Sequence, residues 1–170
     1  MKRWLASLAI VGVILTLSAP PAQALKPDRF QPGPNPDLIV EDVCEFPVLL
    51  HDVVNQLVIT DFFDRDGNLV RERGTGRIVE RITRLDEQGQ PVRSITRNIS
   101  GPGTFTFDEE GATLVATGPW LFFFFPGELV GHPDGLMWLT TGRWIWRFDA
   151  SGVTLVSHTG RVQDVCSLLA

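Results

Sequence analysis

This chain of 170 residues lacks most of the motifs by which enzymes are recognised from sequence. It contains no Gly-x-Ser-x-Gly nucleophile elbow, no glycine-rich phosphate loop followed by Lys-Ser/Thr, and no His-Glu-x-x-His zinc motif. Its two cysteines are not spaced as Cys-x-x-Cys, and it has no tyrosine beside 11 phenylalanines, a bias that nothing in the sequence explains. These absences favour a protein that is not an enzyme, although they do not decide the question.

Basic residues are also scarce. The chain has 15 Lys and Arg against 20 Asp and Glu, which gives a formal net charge of −5. An acidic protein of this kind is a poor partner for nucleic acid or for an anionic membrane surface. No segment after residue 24 approaches the ~18 consecutive apolar residues of a spanning helix, so no transmembrane segment is predicted in the mature chain.

The first 24 residues have the pattern of a cleavable signal peptide of a secreted protein. Lys2 and Arg3 precede an apolar run over Trp4–Leu17, and Ala22-Gln23-Ala24 is a small-x-small cleavage site. We therefore predict export, followed by an extended, proline-rich leader over residues 25–37 and one domain over residues 38–170.

A turn motif, Asp-x-x-Gly, recurs along the domain. The motif begins at Asp64, Asp86 and Asp108, which are 22 residues apart, and again at Asp149. Asp accepts hydrogen bonds from the backbone two residues on, and Gly supplies the positive φ that closes a short loop. One turn in each such period leaves room for two strands of roughly 7–8 residues. The spacing predicts an all-β, antiparallel up-and-down meander, as a closed barrel of about 8–9 strands or, as the second choice, a two-sheet sandwich.

Cys44 and Cys166 stand near the two ends of the predicted domain. In an oxidising compartment two cysteines are most simply explained as one disulfide. A redox pair or half of a metal site are the alternatives, and no local spacing supports either.

The histidines give little sign of a metal or catalytic site. His51, His132 and His158 are far apart in sequence, and no close pair such as His-x-His is present. Asp64-x-Asp66-Gly67 resembles part of an EF-hand loop, but the positions of the first and twelfth ligands hold Phe62 and Arg73. We expect no metal and no cofactor.

The strongest anomaly is a run of aromatic residues. In a strand, Phe122 and Phe124 face one way and Phe123 and Phe125 the other, so neither face is polar. Either the strand is covered on both faces, inside by core and outside by the proline-rich leader or another loop, or one face is an outward patch for an apolar small molecule or a cell-envelope component. The second interpretation predicts a binding site with these members: Trp120, Phe122, Phe123, Phe124, Phe125, Trp144 and Trp146.

Two further strands, over residues 76–85 and 91–99, mix polar and apolar residues on both faces, and the polar residues include several arginines. Long charged side chains can lie across apolar surface with their heads in water, or they can line a solvated pocket. The pocket would allow a cyclase- or isomerase-type enzyme as the alternative function, with His158, Arg81, Arg97 and Arg143 as its polar groups. A secreted structural domain without a ligand is the third possibility.

Several segments together resemble a group of exported proteins from high-GC Gram-positive bacteria. The similarity covers nearly all of the mature chain, and the aromatic decapeptide over residues 118–127 is its most specific part. The segments are Cys44–Val48, Asn98–Gly103, Gly118–Gly127, Gly142-Arg143, Phe148–Gly152 and Asp164–Cys166. The resemblance implies an exported β-rich domain with one disulfide, and it carries over no catalytic residues. A likeness to the allene-oxide-cyclase and dirigent type of small barrel depends on the meander alone, which does not fix a function.

Overall fold

The computed structural model describes residues 25–170, and the predicted signal peptide lies outside the described residues. This part of the chain forms twelve strands and one short helix, and all the strand pairs are antiparallel. The elements are β1 (Asp28–Phe30), β2 (Leu38–Val40), β3 (Val48–Asn55), β4 (Val58–Phe63), β5 (Leu69–Thr75), β6 (Ile78–Leu85), β7 (Pro91–Asn98), β8 (Gly103–Asp108), β9 (Gly111–Thr117), β10 (Trp120–Phe124), β11 (Leu136–Asp149), β12 (Gly152–Asp164) and α1 (Val165–Leu169).

The strands divide into two sheets. The smaller has four strands in the order β2-β3-β6-β7, and the larger has eight in the order β1-β4-β5-β8-β9-β11-β10, with β12 also paired to β11. One edge of β11 pairs with β12, and the other is shared by β10 over residues 136–140 and by β9 over residues 143–149. The all-β antiparallel prediction is confirmed. The strands of residues 25–170 do not form the single closed barrel that we favoured, and the two sheets agree with the second choice.

Besides the passage from β1 to β2, the chain passes between the sheets at three neighbouring corners. The corners follow β3, β5 and β7, each of which continues into the other sheet within two to four residues. The backbone of Gln56 donates to Arg77 O at 2.8 Å, and Ser100 Oγ accepts from the backbone N–H of Ile78 at 2.7 Å. Strands that bend from one sheet into another produce two packed layers. The turn periodicity counts hairpins and does not report such corners, which is why it favoured one barrel.

All four Asp-x-x-Gly turns have the predicted geometry. The Oδ1 atoms of Asp64, Asp86, Asp108 and Asp149 each accept a hydrogen bond from the backbone N–H two residues later, at 2.8–3.0 Å. Each turn joins a hairpin: β4 to β5, β6 to β7, β8 to β9 and β11 to β12. The hypothesis of Asp-closed hairpins is therefore confirmed.

The proline-rich leader and the first strands of the domain pair with different sheets. β2 and β3 are separate strands of the smaller sheet with a stretch of bends between them. The proline-rich leader contains β1, which pairs with β4, and is therefore tied to the larger sheet. Backbone pairing, which composition does not reveal, holds this segment against the domain.

The disulfide between Cys44 and Cys166 is present, with the Cα atoms 5.4 Å apart across 122 positions. It joins the segment between β2 and β3 to α1, whose Asp164 N-cap accepts from Cys166 N at 3.0 Å. Disulfides persist in oxidising compartments. Within residues 25–170 no helix has the length and apolar character needed to cross a bilayer.

Two hydrophobic clusters form the core, and β10 contributes to both. The first cluster lies between the sheets and includes Val48, Ile82, Met137 and Leu169. The second lies on the other face of β10 and β11 and includes Trp144 and Trp146. β10 is therefore covered on both faces, because its alternate side chains point into different clusters.

Candidate functional site

The aromatic run divides between the two faces of β10. Phe122 and Phe124 are buried in the second cluster, with ring centroids 5.1 and 5.0 Å from that of Trp146. Phe123 is half-buried against the first cluster, and Phe125, one residue beyond the strand, is 42% exposed. The structure thus separates the four phenylalanines into core, cavity wall and surface, and they do not form one outward patch.

The tryptophans of the predicted site also lie inside. Trp144 and Trp146 are fully buried and stack on one another at 5.9 Å. Trp120 is half-buried and stacks on Phe122 at 5.4 Å, and it borders two cavities. Of the seven aromatic residues predicted to bind a ligand, Trp120 and Phe123 are therefore those that face open space within the fold.

An apolar cavity of about 280 Å³ lies between the sheets, at the corners. Glu72 is its one ionisable wall residue, and burial followed by the charge of Asp61 raises the pKa of that carboxyl. The remaining wall is hydrocarbon, aromatic ring or glycine: Leu57, Ile59, Gly74, Ile78, Ile99, Gly101, Gly103, Phe105, Trp120 and Leu121. A space of this size and lining suits a small apolar molecule.

Two glycines fix the position of the Trp120 ring. A Cβ on Gly101 would lie 2.3 Å from the indole, and a Cβ on Gly103 would lie 2.5 Å from its benzo ring. Only glycine lets the backbone approach the ring this closely, and this is the physical reason for Ser100-Gly101-Pro102-Gly103 at the third corner. The glycine-rich corner therefore builds part of the cavity wall.

A second space, the acidic pocket, has a volume of about 360 Å³ and contains the paired positions Asp52 and Glu80. Burial, then the hydrogen bond and charge of Asp52, raise the pKa of Glu80 to about 8, and Asp37 adds to this. Partial burial acts to raise the pKa of Asp52. The hydrogen bonds from Asn55 Nδ2 at 2.7 Å and Asn35 N at 2.8 Å outweigh it, so the pKa of Asp52 is lowered overall. Near neutral pH Glu80 is therefore largely protonated beside an ionised Asp52.

A third space, the arginine cleft, has a volume of about 530 Å³ and lies between β7 and the paired strands β11 and β12. Its charged wall residues are Arg97 and Arg161, and no Asp or Glu lines it. Its other wall residues are Asn98, Pro119, Trp120, Leu139, Thr140, Thr141, Val162 and Gln163. The cleft is a positively charged site in an acidic protein.

The groups predicted for the alternative enzyme are not brought together. His158 is exposed and stacks on Trp144 at 4.4 Å, and it is not part of the cleft wall that contains Arg97. Arg81 and Arg143 are exposed on different strands. Among the described residues there is also no group of three or more His, Cys, Asp and Glu side chains placed to hold a metal.

His51 and His132 occupy separate places as well. His51 Nδ1 lies 2.7 Å from Asp37 Oδ1, beside the acidic pocket, so its partner is not the adjacent Asp52. The ring of His132 meets that of Trp138 edge-on at 5.9 Å. Neither arrangement forms a catalytic dyad with a nucleophile.

Sequence reasoning missed Glu80, Glu72 and Arg161, and it considered Asp52 only as a neighbour of His51. The alternation of β6 carried a usable sign for Glu80, because Ile78, Glu80 and Ile82 share the face that turns inward. A carboxyl between two isoleucines on a buried face predicts a raised pKa. Arg161 gave no such sign, since its neighbours across the cleft come from a strand more than 60 positions away.

Comparisons of the chain with protein-family models, with curated proteins and with solved structures found no match. The function is therefore argued from the cavities alone.

Proposed function

We propose that this protein is an exported binding protein for a small apolar molecule, which it holds in the apolar cavity between the two sheets. The observation that carries the proposal is the cavity of about 280 Å³ whose wall is almost entirely apolar. At roughly 30 Å³ for each heavy atom, as for water in the liquid, this space holds about nine heavy atoms, which is close to the size of a ten-carbon chain. Burial of apolar ligand surface supplies the affinity, at ~25 cal/mol per Å² before the costs of association.

The proposal replaces the outward aromatic patch with an internal site that keeps Trp120 as its aromatic wall. A cell-envelope component remains the alternative occupant, and Phe125 and Val130 are the exposed apolar side chains of the connection after β10 that favour it. The cyclase- or isomerase-type alternative requires His158, an arginine and an acid in one cavity, and no cavity wall described above contains that set.

The test places a larger side chain in the cavity at Gly74, where the surrounding atoms leave room for one. A Cβ on Gly74 would meet Leu57 Cδ1 at 3.5 Å, an ordinary contact with the end of a flexible side chain. We expect Gly74→Leu to fold and to lose at least about tenfold in affinity for 1-decanol, measured by titration calorimetry. Gly74→Ala should lower the affinity for 1-decanol by less than Gly74→Leu does. Arg73→Leu, on the opposite face of the same strand, is the matched control and should bind like the unchanged protein. Equal affinity in Gly74→Leu would refute the cavity as the site.

A further inference from the structure

The wall of the arginine cleft combines two arginines that have no acidic partner with two buried polar atoms that have no hydrogen-bond partner among the described residues. Arg97 and Arg161 take part in no ion pair in the described part of the chain, where Arg147 by contrast binds Asp108. Thr140, which is 2% exposed, has its Oγ1 buried without a hydrogen-bond partner among these residues, and so does Trp120 at Nε1. Buried polar atoms are normally paired, so an unmatched pair in a cleft wall points to a missing polar partner.

The position of Arg97 makes this charge more notable. Arg97 lies opposite Glu80 in the register of β6 and β7. Nevertheless its guanidinium donates to Thr96 O at 3.0 Å and lines the cleft, while Glu80 lines the acidic pocket with Asp52. The raised pKa of Glu80 leaves one negative charge in the acidic pocket, on Asp52, which accepts hydrogen bonds from Asn55 Nδ2 and Asn35 N. Arg97 and Arg161 have no acidic partner of this kind in the cleft wall.

The cleft and the apolar cavity meet at Trp120, which lines both. We propose that the ligand is an amphiphilic carboxylate, with its carboxylate held by Arg97 and Arg161 and its apolar chain passing along Trp120 into the apolar cavity. This inference rests on the proposed function and adds the charged end of the ligand. Arginine is suited to the role, because its planar fork of N–H donors matches the two oxygens of a carboxylate. Leu139 and Val162 extend the apolar surface beside the charged groups.

The test compares three ligands of one chain length, decanoate, 1-decanol and decylamine, by titration calorimetry near neutral pH. We expect decanoate to bind the unchanged protein about tenfold more tightly than 1-decanol, and its affinity alone to fall as salt is added. Arg97→Gln and Arg161→Gln, singly and together, should reduce the decanoate affinity to that of 1-decanol without changing the 1-decanol affinity. Arg97→Lys should keep part of the additional affinity for decanoate, because lysine retains the positive charge. Arg143→Gln, on an exposed arginine outside the cleft, is the control and should change neither. Thermal unfolding of each variant checks that it is folded, and the exposed Arg161 gives a variant for which misfolding is not expected.

The outcomes separate this inference from the proposed function. Equal affinity for decanoate and 1-decanol, or a decanoate preference that survives the double arginine variant, would refute the carboxylate and leave the apolar site intact. A preference for decylamine would refute it as well and would point to the carboxyl of Glu72, which lines the apolar cavity. Binding of none of the three ligands would refute both, because the apolar cavity would then have no affinity for a ten-carbon chain.

Discussion

The two faces of β10 are built from similar residues and have different surroundings. On one face Phe122 and Phe124 are 7% and 6% exposed and pack on Trp146 in a closed aromatic cluster. On the other face Leu121 and Phe123 are half-buried and border the apolar cavity and the acidic pocket. Over residues 121–124 this strand is closed core on one side and borders open space on the other, while Trp120, on the same face as Phe122, reaches the apolar cavity at the end of the strand. Substitutions on the two faces over residues 121–124 should therefore affect stability to different extents.

The largest difference should come from phenylalanine substitutions on opposite faces. Phe124→Ala leaves a hole in the closed aromatic cluster, and such changes cost about 3–5 kcal/mol in the free energy of unfolding. Phe123→Ala removes a half-buried ring beside the acidic pocket, so we expect about half of that loss, with an unchanged affinity for 1-decanol because Phe123 does not line the apolar cavity. Urea denaturation measures the first quantity and calorimetry the second. If Phe123→Ala costs as much as Phe124→Ala, the two faces are not distinct in the way described.

Removal of the disulfide tests whether the two hydrophobic clusters on the two faces of β10 are independent of one another. Cys44 and Cys166 pack against the cluster between the sheets, together with Val165 and Leu169 of α1. Replacing both cysteines by alanine should lower the free energy of unfolding by about 2–5 kcal/mol, because the unfolded chain loses a long cross-link. The near-ultraviolet circular dichroism of the folded variant should still show the packed Trp144 and Trp146, which lie in the other cluster. Loss of that spectrum would mean that the two clusters form only together.

The acidic pocket gives the open face a pH dependence that the closed face lacks. Glu80 has its pKa raised from 4.5 to about 8 in the folded protein, so its contribution to stability is complete below about pH 4.5 and is lost as the pH rises towards about 8. The charged groups that face it are Asp52 and Asp37, with His51 beside them and Arg97 opposite in register.

Glu80→Gln keeps the shape and removes the titration. We expect the unchanged protein to lose about 2–4 kcal/mol relative to Glu80→Gln between about pH 5 and about pH 9, a little less than the full shift would give, since water can reach the pocket. The measurement is urea denaturation across that range. Asp86→Asn, at an exposed hairpin turn, is the control for a carboxyl change elsewhere. Parallel curves for the unchanged protein and Glu80→Gln would contradict a buried, protonated Glu80.

The sequence was informative where local chemistry decides the structure. Asp64, Asp86, Asp108 and Asp149 each close a turn through their own side chain, so the hairpins could be predicted from four-residue motifs. The disulfide followed from there being two cysteines, and β10 was correctly considered as a strand covered on both faces. These features depend on neighbours in the chain or on a simple count.

The sequence was uninformative where distant segments meet. Trp120 lies in both the apolar cavity and the arginine cleft because β10 pairs with β11 while facing the corners of three other strands. Arg97 and Glu80 stand in register yet line different spaces, and no period or motif records such a choice. The two sheets, the cavities and the unmatched arginines all depend on those long-range placements.

The smallest effect is expected at Phe125. This residue lies just beyond the end of β10, so its ring is part of neither the closed cluster nor the cavity wall. Phe125 is 42% exposed and touches the aromatic run only through an edge contact with Phe123 at 6.1 Å. Its backbone N–H donates to Glu128 Oε2 at 2.8 Å, a hydrogen bond that a substitution of the side chain leaves in place. We expect Phe125→Ser to change the free energy of unfolding by no more than about 0.5 kcal/mol, as for other surface positions. The affinity for 1-decanol should also stay the same, since Phe125 lines neither the apolar cavity nor the arginine cleft. A large loss in either measurement would show that the connection after β10 supports the binding space, and the division of the aromatic run into core, wall and surface would then have to be redrawn at its last residue.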